Sequence, residues 1–212
     1  MSELPLGHPR RVYCAGPLFN SAERREIVEI ADHLAEAGFL PFVPHRDGME
    51  FADVRPYLIE RGHDPLEVGQ LLHEAVFALD TYQVIVGCGS LVCNLNGRVP
   101  DEGAVAETAM AWTVGKPIVL YKDDVRSKIV GRDNPLVVGM ADFQVVNEIK
   151  DLASALVHRI AQQREQFDEA PPVPHHLRAI LDRGARLWTQ LSSLGKHRPA
   201  PAVAEAVVTS SA

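Results

Sequence analysis

Three carboxylates occupy the stretch NLNGRVPDEGAVAETAMAWTVGKP (94–117), which leads from an apolar segment into a predicted helix. Asp101 stands where that helix would begin, so its side chain can cap the helix by accepting from exposed backbone N–H groups. Glu102 falls in the first turn, where a negative charge suits the helix dipole, and we expect it to be exposed to solvent. Asp101 therefore fits either a capping or a chemical role, whereas Glu102 needs no role beyond the helix.

Glu107 lies further inside the same helix, in a different environment. Three small or apolar residues, Ala104, Met110 and Ala111, stand three or four positions away and share its face. A carboxylate among such neighbours is unfavourable to bury unless it is hydrogen-bonded, and residues of this kind often have a function. Because the alanines leave room for a ligand, Glu107 is a candidate catalytic residue; the alternative is a glutamate on the solvent-exposed rim.

The elements that would position these side chains alternate along the chain. Short apolar runs predict five strands, and segments with apolar residues at helical spacing predict the helices between them. Strands that alternate with helices indicate a parallel sheet covered on both faces. The predicted strands are 11–16, 39–44, 91–95, 117–121 and 143–146, and the predicted helices are 22–37, 66–86, 104–114 and 148–164.

Three loops of this predicted sheet carry polar or glycine residues that suit close ligand approach. They are AGPLFNSAER after the first strand, HRDG after the second and NLNGRVPDEG after the third. In open α/β sheets, ligands bind outside the carboxyl ends of the strands, in the loops that lead into the helices. We therefore expect one site that is built from all three loops.

Composition excludes several classes of protein. The chain is 46% hydrophobic and 23% charged, with a formal net charge of −7, which argues against a nucleic-acid-binding protein. Three cysteines without a CxxC motif indicate reduced thiols. No apolar run reaches 18 residues, and the first residues lack the hydrophobic region of a signal peptide. We expect a cytoplasmic protein that does not bind membranes.

The C-terminal part is predicted to extend a catalytic domain that covers residues 1–165. Residues 166–174 contain Pro171-Pro172-Val173-Pro174, which is typical of a linker. Residues 175–195 predict one more helix, and 196–212 predict a disordered tail.

Several motifs together resemble those of the nucleoside 2-deoxyribosyltransferase family. They follow the family's order over roughly residues 11–165, and the ordered set is far more specific than any single motif. The motifs are VYCAGPLFNSAER (12–24), PHRDG (44–48), NLNGRVPDEGAVAE (94–107), GKP (115–117) and DNPLVVGM (133–140).

This resemblance implies a flavodoxin-like (Rossmann-like) parallel sheet and an enzyme that cleaves the N-glycosidic bond of nucleosides. By motif position, Glu107 is the nucleophile, Asp101 lies near the leaving base, and Tyr13 on the first strand accompanies the nucleophile. Asn134 is the family's asparagine that reaches in from a neighbouring subunit, so a homo-oligomer is implied. The partners are then a nucleoside or nucleoside monophosphate and a free nucleobase.

The chemistry suits these residue types independently of the resemblance. Glycosidic cleavage passes through an oxocarbenium-like state that a carboxylate stabilises and can trap. A second carboxyl group can protonate the departing base. A phenol that is hydrogen-bonded to the nucleophilic carboxylate would hold that carboxylate in one rotamer. Neither a metal nor a cofactor is indicated.

Further residues assigned to substrate binding are Gly16, Pro17, Phe19, Asp47, Asp80, Asn96, Gly103 and Met140.

The sequence departs from the family pattern in a few places. Many members carry aspartate at the position of Asn96 and glycine at the position of Ala109, and Asp80 is displaced by about one position from the family's acidic or amide residue. We therefore expect a reshaped pocket.

Two alternative functions stay open. One is a nucleoside monophosphate N-glycosidase. Such relatives tend to carry serine at the position of Asp101, but a helix that begins after Asn20-Ser21 could receive a phosphate. The other is a nucleotide-binding sensor without catalysis, for which Glu107 would be dispensable. A dinucleotide-dependent dehydrogenase is poorly supported, since GCGSLV (87–92) precedes a strand instead of following one.

Overall fold

The computed structural model describes residues 8–97, 99–124, 133–166, 173–195 and 197–211. The strands in this part of the chain are β1 (His8–Ala15), β2 (Leu40–Phe42), β3 (Cys88–Asn94), β4 (Ile118–Tyr121) and β5 (Val145–Val146). The α-helices are α1 (Ser21–Glu36), α2 (Pro44–Asp47), α3 (Phe51–Glu60), α4 (Pro65–Tyr82), α5 (Glu102–Thr113), α6 (Pro135–Val138), α7 (Leu152–Gln166), α8 (Arg178–Ser193) and α9 (Ala200–Ser210).

The five strands form one sheet in the order β2-β1-β3-β4-β5, and every neighbouring pair is parallel. This order is that of flavodoxin-like folds, in which the chain reverses its direction of travel across the sheet between β1 and β3. In the central register, Tyr13 lies between Phe42 of β2 and Leu91 of β3. The predicted fold class, a five-stranded parallel sheet of this type, is confirmed.

Alternate residues of β1 face opposite sides of the sheet, because successive side chains in a strand point in opposite directions. Val12 and Cys14 belong to a buried cluster that also contains residues of α1 and α7, such as Ile27 and Leu152. Tyr13 points the other way, where its hydroxyl reaches α5. Helices therefore cover both faces of the sheet, as the alternating pattern predicts.

Helix α1 begins at a complete capping box, which anchors the turn that follows β1. Asn20 Oδ1 accepts from the N–H groups of Ala22 and Glu23, and Glu23 Oε2 accepts in return from the N–H groups of Phe19 and Asn20. This reciprocal pattern satisfies backbone donors that the helix itself leaves without partners. Asn20 is thus the N-cap of α1.

The chain divides into two compact units. The first contains the described residues of 1–43 and 84–172, including the whole sheet, and the second contains those of 44–83 and 173–212. Residues 44–83 therefore cluster with the C-terminal helices, although sequence analysis places them in the catalytic domain. The predicted linker falls mostly on 167–172, which lie outside the described residues. Among the described residues, no helix is both long and apolar enough to cross a bilayer.

Two elements of the second unit differ from the sequence-based expectation. No helix is predicted between residues 37 and 66, but this stretch contains α3, which buries Val54 and Leu58 one helical turn apart. The tail is predicted to be disordered, but α9 is a helix with Val203, Ala204, Ala206 and Val207 buried. Helix α9 contacts α3, α4 and α8, so burial of this alanine- and valine-rich face stabilises a segment whose composition alone suggests disorder.

Candidate active site

A direct hydrogen bond between side chains joins strand β1 to helix α5 in the first unit. The hydroxyl of Tyr13 donates to Glu107 Oε1 over 2.7 Å, although 94 positions separate the two residues. Tyr13 is fully buried, and its ring stacks on Phe42 with centroids 5.5 Å apart. The phenol is thus immobilised by packing, and it fixes the orientation of the half-buried Glu107 carboxylate. The pair lies beside the two central strands, β1 and β3, whose following connections lead to opposite edges of the sheet.

The helix face around Glu107 is small and apolar, as its sequence predicts. Ala104 and Ala111 are buried on α5, and Thr108, also buried, donates its hydroxyl to the Ala104 carbonyl over 2.7 Å. Beneath the helix, burial, together with the nearby charges of Glu107 and Asp101, raises the pKa of the Cys93 thiol to about 12. Cys93 therefore stays a neutral thiol and adds no charge to the site.

Asp101 is the N-cap of α5. Its Oδ2 accepts from the Ala104 N–H over 2.7 Å, and its backbone is extended, with φ −60° and ψ 129°. The capping role proposed for this residue is therefore real, but it uses one carboxylate oxygen. A Cβ on Gly103 would lie 3.1 Å from Asp101 Oδ2, so glycine leaves space around the carboxylate.

The turn after β1 places three of the predicted substrate-binding residues. Gly16 and Pro17 are buried, and Phe19 is 82% exposed. A Cβ on Gly16 would lie 3.0 Å from Asn94 Cβ and 3.2 Å from Ile27 Cδ1. Glycine therefore suits the close approach of this turn to the end of β3, while Phe19 is exposed to solvent at the carboxyl edge of the sheet.

A cluster of two amides and two carboxylates lies at the carboxyl ends of β3 and β4; we call Glu26, Asn94, Asn96 and Asp123 the amide–carboxylate cluster. Glu26 Oε2 accepts from Asn94 Nδ2 over 2.7 Å, and Glu26 Oε1 accepts from Asn96 Nδ2 over 2.6 Å. The second hydrogen of Asn96 Nδ2 is donated to Asp123 Oδ1 over 2.7 Å. Asn96 is thus placed at the predicted edge, but protein groups engage its amide.

Glu26 is not among the site residues predicted from the sequence. A signal existed, because Glu26 stands four residues before Ile30, a position that is buried on the inner face of α1. A carboxylate near the start of an apolar helix face, directly after the first loop, is the same kind of pattern that singled out Glu107.

Asn134 and Met140 lie in a compact segment after β4. Asn134 is exposed and caps α6, with its Oδ1 accepting from the Leu136 N–H over 2.9 Å. The residue before Asn134, Asp133, forms an ion pair with the buried Lys122. Met140 is half-buried in a 3₁₀ turn, Gly139–Ala141, that contacts α5.

The two remaining predicted site residues belong to the second unit. Asp47 ends α2, where its carboxylate pairs with Arg46 Nη2 at 2.9 Å. Asp80 is half-buried in the last turn of α4. Both assignments stay predictions. Within the described ranges, no group of three or more His, Cys, Asp or Glu side chains could hold a metal ion.

Comparisons with known proteins identify a family and a fold. The family model described as nucleoside 2-deoxyribosyltransferase matches residues 12–166, well over half of the chain. No curated protein matches the chain. A solved structure of a conserved protein from Enterococcus faecalis V583 is similar, with 21% identity and a TM-score of 0.53 over 72% of this chain and 99% of that one, which supports the fold.

Two further solved structures are similar at lower scores. A 2-deoxyribosyltransferase from Bacillus psychrosaccharolyticus has 15% identity and a TM-score of 0.47, over 68% of this chain and 90% of that one. A 2-deoxyribosyltransferase from Leishmania mexicana has 14% identity and a TM-score of 0.40, over 72% and 98% of the two chains.

Proposed function

The chain belongs to the nucleoside 2-deoxyribosyltransferase family, a family of enzymes, and we propose that it transfers the sugar of a (deoxy)nucleoside from one nucleobase to another through a covalent ester on Glu107. The observation that carries this proposal is the hydrogen bond from Tyr13 to Glu107 Oε1 at the carboxyl edge of the sheet. A buried phenol that holds a half-buried carboxylate in one orientation is what a nucleophile in a fixed pose requires.

The first step is cleavage of the bond between the sugar and the base. A carboxylate oxygen of Glu107 attacks the anomeric carbon, the carbon–nitrogen bond breaks, and its electron pair leaves with the base. The base departs more easily when a ring nitrogen receives a proton, which we assign to Asp101. Since Asp101 Oδ2 accepts from Ala104 N–H, the proton is carried by the other oxygen, Oδ1.

The second step is the reverse of the first with a new base. A ring nitrogen of the incoming base attacks the anomeric carbon, the ester bond breaks, and Glu107 recovers its charge while Asp101 accepts the proton. Transfer exceeds hydrolysis where an acceptor base occupies the site and water is kept from the ester. Phe19, exposed beside the site, is the side chain to which we assign apolar cover for a base.

The start of α1 supports a nucleoside over a nucleoside monophosphate. A helix N-terminus after the first strand is a natural phosphate site because its N–H groups point outward. Here the side chains of Asn20 and Glu23 already accept hydrogen bonds from these backbone N–H groups. The donors are the N–H groups of Phe19, Asn20, Ala22 and Glu23. An incoming phosphate would have to displace a carboxylate of like charge, which disfavours the phosphorylated substrate.

We assign Asn134 to a site that is completed in a homo-oligomer. The residue is exposed at the start of α6, and two apolar side chains of the same segment, Leu136 and Phe143, are 82% and 69% exposed. A second subunit that covers these two side chains would remove apolar surface from water, which supports an interface at this segment. The ion pair between Lys122 and Asp133 holds the residue that precedes Asn134.

A labelled-base experiment tests the function. The protein is incubated with an unlabelled deoxynucleoside and a labelled free base, and the label is followed by chromatography. Transfer predicts labelled nucleoside, with slower release of free sugar when the acceptor base is omitted. Glu107→Gln, which keeps an oxygen for the Tyr13 hydroxyl, should lose both reactions. Accumulation of free sugar alone would favour a hydrolase, and activity in Glu107→Gln would refute the assigned nucleophile.

A further inference from the structure

The amide–carboxylate cluster accounts for every polar atom of the Asn96 side chain. Its two amide hydrogens go to Glu26 Oε1 and Asp123 Oδ1, and its Oδ1 accepts from the N–H groups of Asp123 and Asp124, each over 3.2 Å. The residue is 9% exposed. A side chain with all of its hydrogen bonds inside the protein holds its own loop and is not available to hold a substrate.

From this we infer that Glu26 and Asn96 act as a matched pair that positions the loop between β3 and α5, and through that loop Asp101. The inference rests on the function proposed above, in which Asp101 protonates the departing base. Glu26 supplies two acceptors from α1, and Asn94 and Asn96 supply the two donors at the end of β3. The pair therefore joins the residues that follow β3 to α1, the helix that follows β1.

Residue 96 must be an amide in this setting. Aspartate has no hydrogen to donate when ionised, so Asn96→Asp would place a third carboxylate within hydrogen-bond reach of those of Glu26 and Asp123. Like charges at such separations repel strongly where solvent is partly excluded. Glu26 is half-buried and Asp123 exposed, so the repulsion from Glu26 is the less screened of the two. The asparagine at position 96 is thus matched to Glu26.

The loop transmits this anchoring to Asp101. The N–H of Gly97 donates to Asp124 Oδ2 over 3.1 Å, and its φ of +119° favours glycine. Asp101 follows four residues later as an N-cap with extended backbone. A residue in that position takes its direction from the preceding loop as well as from the helix, so a shift at Asn96 redirects the carboxyl group while the buried body of α5 keeps Glu107 in place.

An exchange of amide and carboxylate tests the pairing. Asn96→Asp removes the donor of the hydrogen bond between the two side chains, and Glu26→Gln replaces one of the two acceptor oxygens by an amide. The double variant restores one hydrogen bond between positions 26 and 96, because the introduced glutamine amide can donate to the introduced aspartate. Thermal unfolding of the wild type, both single variants and the double variant gives the coupling between the two positions. We expect the double variant to melt above both single variants, though below the wild type, since Asp123 still faces the new carboxylate.

Two substrates separate positioning of Asp101 from a general structural effect. A deoxynucleoside with a neutral base needs a proton on departure, whereas an N7-methylated purine deoxynucleoside carries a positively charged base and does not. Each single variant should lower kcat for the neutral base by about 10-fold or more and kcat for the methylated base by less than about 3-fold. The double variant should recover most of the loss.

Glu36→Gln is the matched control, because it removes one exposed charge from the far end of the same helix. It should change neither melting temperature nor the ratio of the two rates. Equal slowing of both substrates, or a double variant no more stable than the weaker single variant, would overturn the inference. A wild type without any nucleoside turnover would instead refute the proposed function, while the unfolding measurements would still decide whether Glu26 and Asn96 are paired.

Discussion

Tyr13 and Glu107 meet across the switch point of the sheet, with 2.7 Å between the phenolic oxygen and Oε1 of the carboxylate. The strand contributes rigidity, since Tyr13 is fully buried and stacked on Phe42. The helix contributes access, since Glu107 stays half-buried beside small residues. Together they give a carboxylate that is both oriented and reachable, the two properties that nucleophilic catalysis needs at once.

Tyr13→Phe should weaken catalysis more than folding. The ring and its stack on Phe42 remain, and only the hydroxyl that orients Glu107 is lost. We expect about 10-fold or more lower kcat because Glu107, the proposed nucleophile, would sample unproductive rotamers, with a loss of about 1 kcal/mol in the free energy of unfolding. Steady-state kinetics and denaturant titration measure the two. Tyr57→Phe in the second unit is the control and should leave kcat unchanged; wild-type kcat in Tyr13→Phe would contradict the positioning role.

Asp101→Asn separates capping from acid catalysis. The asparagine oxygen can still accept from the Ala104 N–H, so α5 should begin as before and the melting temperature should change little. Loss of the acidic proton should lower kcat by about 100-fold for a deoxynucleoside with a neutral base. An N7-methylated purine deoxynucleoside should lose far less. If both substrates keep wild-type rates, Asp101 is only a cap.

The sheet and most helices could be predicted because their signals are local. Apolar runs of strand length, separated by segments with helical spacing, predicted the alternation of strands and helices, and the predicted helix 22–37 corresponds to α1. Helix α3 was missed since Pro56 lies inside it. Helix α9 was missed because its stability comes from contacts with α3, α4 and α8, which composition does not reveal.

The candidate site was predictable to a lesser extent. The apolar face of α5 pointed to Glu107 from spacing alone, but its pairing with Tyr13 joins residues 94 positions apart and came only from the family resemblance. Glu26 was missed because its partners, Asn94 and Asn96, lie on another element. Hydrogen bonds between distant segments leave no periodic trace in a sequence, so such clusters become visible only once the fold is known.

Lys116 should make stability depend on pH above neutrality. Burial lowers its pKa from 10.5 to about 8 while its ammonium group donates to the Cys88 carbonyl. Between pH 8 and 10.5 the unfolded chain therefore binds more protons at this residue than the folded chain, so its contribution to stability rises with pH. Relative to Lys116→Met, the wild type should gain stability from about pH 8 to about pH 10 in chemical denaturation. A constant difference across that range would refute the shift.

Asn134 should act on a site whose nucleophile belongs to another subunit. Asn134→Ala and Glu107→Ala are each expected to be inactive, but in a randomly mixed dimer one site in each heterodimer is intact. Activity should then return to about a quarter of the wild-type level. Subunit exchange is verified by native mass spectrometry of differently tagged chains. Exchanged oligomers without activity would mean that each chain builds its own site.

Glu23 should control the response to a 5′-phosphate. Its carboxylate accepts from the N–H groups of Phe19 and Asn20 at the start of α1, so it holds a negative charge where a phosphate would otherwise bind. Glu23→Gln keeps an oxygen acceptor for the capping box and removes the charge. The ratio of kcat/KM for a deoxynucleoside monophosphate to that for the deoxynucleoside should rise by about 5-fold or more, mainly through a lower KM for the phosphate. Glu36→Gln removes an exposed charge from the other end of α1 and should leave the ratio unchanged. A wild type that prefers the monophosphate, or an unaltered ratio in Glu23→Gln, would show that the phosphate is received elsewhere.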